Sequence, residues 1–166
     1  MLSARNFHVF RGDRHVLRGV SFDLPSGRCL QVTGANGAGK TTLLRALCGL
    51  VDAEEGELDW RGRKTTRSDP AFHADLAYLG HDAPLKGDLT GLENVRFAVG
   101  LRRVLEPGEV DRGLARVGAS EFADRPVRSL SAGQRRRVAF AALWLCGVPL
   151  WILDEPNTNL DTRGQA

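Results

Sequence analysis

The sequence predicts an α/β domain with a mostly parallel core sheet, an antiparallel β-subdomain near its start and a helical insert. Three observations predict it. A short apolar run, Cys29 to Thr33, leads into a glycine-rich loop and then into a stretch with helical spacing. A second apolar run, Leu150 to Leu153, ends in two adjacent acids. Between the two, from Gly91 onward, the apolar residues recur at helical intervals. Strands separated by helices imply a parallel sheet, because each crossover lays a helix on the sheet face.

The elements follow in chain order. Residues 2–9 and 20–24 read as strands joined by a polar turn at Gly12-Asp13, and Pro25-Ser26-Gly27 is a second turn. Cys29–Thr33 is expected to be a strand, and Thr42–Leu47 a helix that Gly49 stops. Glu57–Trp60 is a strand candidate, followed by a polar, basic loop through Pro70, and Leu76–Leu79 is another strand. Leu92, Val95, Phe97, Val99 and Leu101 lie in one helical segment, and Val110, Leu114 and Val117 in the next; Pro126 breaks the pattern. A last helix opens near Ser131 and runs to about Leu145, before the strand Leu150–Leu153. The 166 residues suit one domain, with residues 1–80 and 146–166 as its core and about 81–145 as a helical subdomain.

Charge argues against nucleic acid as a partner. The 23 Lys and Arg exceed the 20 Asp and Glu by little, leaving a net charge of +3. The three cysteines, Cys29, Cys48 and Cys146, match no metal spacing and lie in apolar stretches, so they read as reduced core thiols. Met1 to Phe10 has no apolar signal region. The longest uncharged stretch, Val138 to Leu153, is interrupted by Gly147 and Pro149 and is too short to span a bilayer, which takes about 20 apolar residues. A membrane role would therefore act through a partner.

Gly34-Ala35-Asn36-Gly37-Ala38-Gly39-Lys40-Thr41 fits G-x-x-x-x-G-K-[ST] at every fixed position, between an expected strand and an expected helix. The glycines let the backbone curl so that several N–H groups converge on phosphate oxygens. The helix start adds its positive dipole end. Lys40 supplies a charge to the β- and γ-phosphates, the Thr41 hydroxyl is a hard ligand for Mg²⁺, and Thr42 extends the nucleotide-binding set. A chance glycine-rich turn is the alternative, and the loop alone does not separate kinases, GTPases and transport ATPases. In Leu150-Trp151-Ile152-Leu153-Asp154-Glu155, the first acid can hold Mg²⁺, usually through water. Glu155 can orient or deprotonate an attacking water.

Leu130-Ser131-Ala132-Gly133-Gln134 decides between these classes. Here the sequence resembles the ABC transporter ATPases, a P-loop NTPase family whose signature reads Leu-Ser-Gly-Gly-Gln. Ala132 departs from it at one position. The resemblance implies that Ser131, Ala132, Gly133 and Gln134 cap the γ-phosphate of an ATP held by a second copy of the chain, in a head-to-tail dimer. Arg135, Arg136 and Arg137 read either as a phosphate or nucleic-acid patch or, preferably, as a solvated helix face with the basic start usual for this helix in the family. Asp161, in Asn159-Leu160-Asp161, matches the family's aspartate-bearing loop, which connects the two active sites. His81 stands where the family has a glutamine that touches the Mg²⁺ site and senses the membrane subunit. The adenine-stacking position aligns with Arg11, beside Phe10. The family's further strand and its γ-phosphate histidine have no counterpart before Ala166, so the sequence is expected to be C-terminally truncated.

The runs Tyr78-Leu79-Gly80-His81, Ser131 to Arg136 and Pro149 to Pro156 resemble one branch of that family, the ATP-binding export subunits of cytochrome c biogenesis, which are haem exporter ATPases. The segment Asn157-Thr158-Asn159 is less typical of it. The resemblance implies an ATPase and translocase that uses ATP and Mg²⁺ and pairs with integral membrane subunits of the same system. It would sit peripherally on the cytoplasmic side of a bacterial inner membrane. Alternatives are the ATPase of another small-substrate exporter, a soluble ABC protein acting on ribosomes or DNA, and a kinase with a similar loop. The soluble relatives need a second cassette or a coiled-coil insert, and no sustained heptads lie between Lys40 and Leu130. A kinase would not need Leu130–Gln134.

Overall fold

The computed structural model describes residues 1–156, and the chain divides into two compact units, the second beginning at Leu76 after Met1–Asp75. The first unit is built on an antiparallel sheet. Strands β1 (Leu2–Arg11) and β2 (Arg14–Leu24) form a hairpin, and β3 (Glu55–Trp60) and β4 (Arg63–Thr65) extend it in the order β2-β1-β3-β4. Leu2, Ala4, Phe7, Val9, Leu17 and Leu58 are buried. The register shifts between Ala4 and Phe7, and β3 crosses that bulge at Gly56. A Cβ there would lie 2.8 Å from the carbonyl oxygens of Arg5 and Asn6, so only glycine lets the two backbones approach.

Helix α1 (Lys40–Leu47) buries Leu43, Ala46 and Leu47, and it ends where Gly49 turns the chain at φ +71°. The short helix α2 (Pro70–Ala74) starts where the Asp69 carboxylate accepts from the N–H groups of Ala71 and Phe72, with proline in the first turn. Phe72 is fully buried edge-on to Trp60. β4 lies within the stretch expected to be loop, and α2 opens at its end, in residues for which no element was expected. They are too short and too polar to show a period of their own.

The expected strand Cys29–Thr33 is not one. Among the described residues, none of 29–34 joins a ladder or a backbone–backbone hydrogen bond, and Cys29 and Leu30 are exposed. An apolar run becomes a strand only when a neighbouring strand accepts from its N–H groups and donates to its C=O groups. The same placement corrects the reading of three core thiols: Cys48 is buried, Cys146 is half-buried and Cys29 is exposed.

The second unit joins a parallel strand pair to a helical bundle. β5 (Leu76–Leu79) and β6 (Leu150–Leu153) pair from Leu76↔Leu150 to Leu79↔Leu153. The helices are α3 (Gly91–Gly100), α4 (Glu109–Arg116) and α5 (Ala132–Leu145). α5 is apolar on two sides. Val138, Ala141, Ala142 and Leu145 share a core with Val95 and Val99 of α3 and Leu114 of α4. Ala139 and Leu143 share another with Ala77 and Leu79 of β5. Gly113 lets α4 close on α5, because a Cβ there would meet Leu145 Cδ1 at 2.6 Å.

Two polar clasps hold this bundle. The side chain of Asn94, 3% exposed, accepts from the Lys86 N–H (2.8 Å) and donates to the carbonyls of Lys86 (3.0 Å), Leu89 (3.3 Å) and Thr90 (2.9 Å). Arg103 donates twice to the Leu145 carbonyl, at 3.0 and 2.8 Å, and forms a bidentate pair with Glu109 in the first turn of α4. The Arg103 hydrogen bond and the Glu106 N–H hold the Glu109 carboxyl down at about 2. No helix among the described residues is long and apolar enough to cross a membrane.

Candidate functional site

In the first unit, the loop Gly34–Gly39 carries positive φ at Gly34 (+153°), Gly37 (+80°) and Gly39 (+97°). These values turn the chain tightly into α1, which begins at Lys40 without a side-chain cap. Gly39, at the cap position, has no side chain to accept from the first-turn N–H groups as a Ser or Asp would. The Lys40 ammonium donates to the carbonyls of Gly34 (2.8 Å) and Ala35 (3.1 Å), which fixes the charge across the loop. Ala35, Asn36 and Ala38 are exposed, and Thr41 and Thr42 follow half-buried in the first turn of the helix. Gly39 also makes room: a Cβ there would stand 2.9 Å from Val16 Cγ1 of β2. Helix dipole, N–H donors and ammonium together make an anion cradle. At the turn between β1 and β2, Phe10 stacks on His15 with ring centroids 4.1 Å apart, and Arg11 is exposed.

In the second unit, the parallel register carries Gly80-His81 and Asp154-Glu155 past the C-terminal ends of β5 and β6, where ligands of parallel sheets bind. The Asp154 N–H donates to the Leu79 carbonyl at 2.8 Å, and Asp154 is 3% exposed. The next residue turns outward: Glu155 takes φ +50°, a left-handed conformation that is unfavourable for a side chain bearing a Cβ. Its half-exposed carboxylate lies 3.2 Å from His81 Nδ1. At that exposure the pair is worth under about 1 kcal/mol, so it orients the carboxylate more than it stabilises the fold.

Ser131 caps α5 with a complete capping box. Its Oγ accepts from the Gln134 N–H (3.2 Å), and Gln134 Oε1 accepts from the Ser131 N–H (2.9 Å). Among the described residues, nothing accepts the Ser131 hydroxyl hydrogen, which can donate outward. Ser131 and Ala132 are exposed, and Gly133 and Gln134 are half-buried. Asp161 lies outside the described residues.

The reading of Arg135–Arg137 as a solvated face is corrected at its centre. Arg135 is exposed and Arg137 half-buried, but Arg136 is 4% exposed. Its guanidinium donates to the carbonyls of Gly80 (2.6 Å), His81 (3.3 Å), Asp154 (3.0 Å) and Glu155 (3.1 Å), with a longer contact to Pro156 (3.5 Å). Burial pushes its pKa down while the charges of Asp154 and Glu155 push it up, and a guanidinium stays charged throughout. The helical spacing carries a partial signal, which only the packing against β5 resolves. Arg136 shares the α5 stripe of Ala139 and Leu143, which faces β5.

The ABC transporter family model matches residues 17–158. The chain is 48% identical over 166 residues to the cytochrome c biogenesis ATP-binding export protein CcmA of Methylococcus capsulatus, covering 99% of this chain and 80% of that protein. It is 44% identical over 164 residues to the protein of the same name from Yersinia pestis, covering 99% and 75%. Among solved structures, a dimeric ATP-binding cassette in a post-hydrolysis state, bound to ADP and phosphate, superimposes with a TM-score of 0.87 at 24% identity. It covers 99% of this chain and 78% of the other. With an anion cradle at a glycine-rich loop, a capped signature helix and an acid pair at a strand end, the chain belongs to the ABC transporter family and is an ATP-binding subunit of that kind.

Proposed function

We propose that the chain is the ATP-hydrolysing subunit of an exporter serving c-type cytochrome biogenesis, with haem as the transported molecule. The observation that carries the catalytic half is the placement of Glu155, half-exposed and oriented by His81, beside buried Asp154 at the ends of β5 and β6. The export half rests on the names of the relatives.

In this reading, Gly34 to Thr42 bind the triphosphate of ATP, and Lys40 neutralises its β- and γ-oxygens. Thr41 and Asp154 fit Mg²⁺ by their chemistry, since a hydroxyl and a carboxylate are the hard oxygen donors it prefers. Among the described residues no group of three or more His, Cys, Asp or Glu could hold a metal by itself, so the ion would complete its shell with phosphate and water. When bound, Mg²⁺ supplies charge neutralisation on the phosphates. Glu155 accepts a proton from the attacking water, and His81 keeps its carboxylate turned to that task. Ser131, Ala132, Gly133 and Gln134 serve a second copy's nucleotide: the Ser131 hydroxyl and the N–H groups opening α5 donate to its γ-phosphate.

Residues 1–80 and 146–166 then act as the ATP-binding core and 81–145 as the helical subdomain, with Asp161 linking the two active sites. The partners are a second copy in a head-to-tail dimer and integral membrane subunits, and the place is the cytoplasmic face of the inner membrane. Two measurements test the reading. Deleting the full-length gene should abolish c-type cytochromes while other haem proteins persist, and normal c-type cytochromes would remove the export assignment. Glu155→Gln should lower kcat for ATP about 10²- to 10⁴-fold with nucleotide binding retained. An unchanged kcat would remove Glu155 from the base role.

A further inference from the structure

We propose that Arg136 is a positioning residue for ATP hydrolysis: its buried guanidinium gathers the carbonyls of Gly80, His81, Asp154 and Glu155 and thereby holds Glu155 in its left-handed conformation. This deepens the proposed function and rests on Glu155 being the general base.

The argument begins with donor and acceptor counting. A guanidinium carries five N–H donors in a rigid fork. Here Nη1 reaches Gly80 and His81, Nη2 reaches Asp154 and Glu155, and Nε points to Pro156. Every donor direction meets a main-chain oxygen, and the plane also lies 5.5 Å from the Phe140 ring. A charge this deeply withdrawn from water is costly unless it is fully hydrogen-bonded, so the site is built around this side chain. No shorter or non-planar cation reaches the same set. A lysine ammonium has three donors on one atom and cannot serve oxygens on both strand ends with this geometry.

The second step is strain. Glu155 sits at φ +50°, which costs a residue with a Cβ roughly 1–2 kcal/mol. Such a conformation persists only where its surroundings hold it. The carbonyls on both sides of the Glu155 φ and ψ angles, those of Asp154 and Glu155, bind the same nitrogen of Arg136. That pair of bonds fixes the orientation of the two flanking peptide planes, and with it the direction in which the carboxylate leaves the backbone. The other half of the fork fixes Gly80 and His81, whose ring meets that carboxylate at 3.2 Å. Both members of the His81–Glu155 pair are thus set from one side chain, five positions after Ser131 on the helix that the signature opens.

The prediction separates positioning from simple structural support. In the full-length protein, Arg136→Gln should lower kcat about 100-fold, the scale of a 1 Å misplacement of a reacting group. The Kd for Mg-ATP should move less than about 3-fold, because the phosphate loop is untouched. Arg136→Lys, which keeps the charge without the fork, should lose nearly as much and serves as the variant if Arg136→Gln does not fold. Placed on a Glu155→Gln background, either replacement should change the residual kcat less than about 3-fold, since the carboxylate it positions is already gone. Equal fractional losses on both backgrounds, or a Kd that worsens in step with kcat, would overturn the proposal. An undiminished kcat in Glu155→Gln alone would instead overturn the general-base assignment, a distinct result.

Discussion

Two alanines in one loop give the sharpest quantitative test. Gly37 and Gly39 both have positive φ, +80° and +97°, so either alanine incurs a backbone penalty of about 1–2 kcal/mol. They differ in what the new methyl would meet. At Gly37 nothing lies within 4 Å, whereas at Gly39 the methyl would stand 2.9 Å from Val16 Cγ1 and 3.1 Å from Leu17 Cδ2. Ordinary carbon contacts lie near 3.5–4.0 Å, so α1 or β2 must yield. Such overpacking costs about 1–3 kcal/mol more. If the loop yields, Lys40 loses its hold on Gly34 and Ala35. At 1.4 kcal/mol per factor of ten, Gly39→Ala should then bind Mg-ATP about 5- to 150-fold more weakly than Gly37→Ala. Titration with a fluorescent ATP analogue reads the ratio, and thermal unfolding detects any part expressed as lost stability. Val16→Ala should recover part of the deficit in Gly39→Ala. Equal affinities and equal melting temperatures for the two alanines would refute the steric argument.

Other outcomes follow from features away from the loop. Asn94→Leu removes four hydrogen bonds and leaves carbonyls facing an apolar side chain; at about 1 kcal/mol net per bond, urea unfolding should show a loss of roughly 2–4 kcal/mol at constant m. Glu109 titrates at about 2 when folded, against an ordinary 4.5. Its contribution is therefore complete above pH 4.5 and is lost as the pH falls from there toward 2. Glu109→Gln should flatten the change in urea midpoint across that acid window and lower stability at neutral pH. Of the thiols, Cys29 is exposed and should react first with an aromatic disulfide reagent. Cys48, whose burial pushes its pKa up to about 12, should stay silent at pH 8 until urea is added.

What was readable in the sequence was local. The phosphate loop, the Ser131 cap and the acids closing Leu150–Leu153 announce themselves because each needs particular residues at fixed short spacing; the structure opens α1 directly after the loop, caps α5 at Ser131 and ends β6 at Leu153. β5 matched its expected ends because its apolar run is bounded by turn residues. The failures are cases where a distant neighbour decides. Cys29–Thr33 is patterned as a strand but lacks a ladder partner among the described residues. β2 begins well before Val20 because it pairs with all of β1, polar residues included. Arg136 looked like one cation in a run of three, and only the folding of β5 and β6 against α5 turns it inward.

The stretch between β5 and α3 is fastened at both ends: Arg136 grips it at Gly80 and His81, and Asn94 grips it at Lys86, Leu89 and Thr90, with the N–H groups of Arg128 and Val127 donating to the Gly87 and Leu89 carbonyls. The span between these anchors is residues 82–85, in which Ala83 and Leu85 pack on the two apolar cores, about 14 Å of chain when fully drawn out. A strap that short cannot lag behind its anchors. Displacing α3 would take up the play within a few ångströms and then tug on the imidazole beside Glu155, whereas one added residue would give about 3.5 Å of free travel and let the two ends move independently.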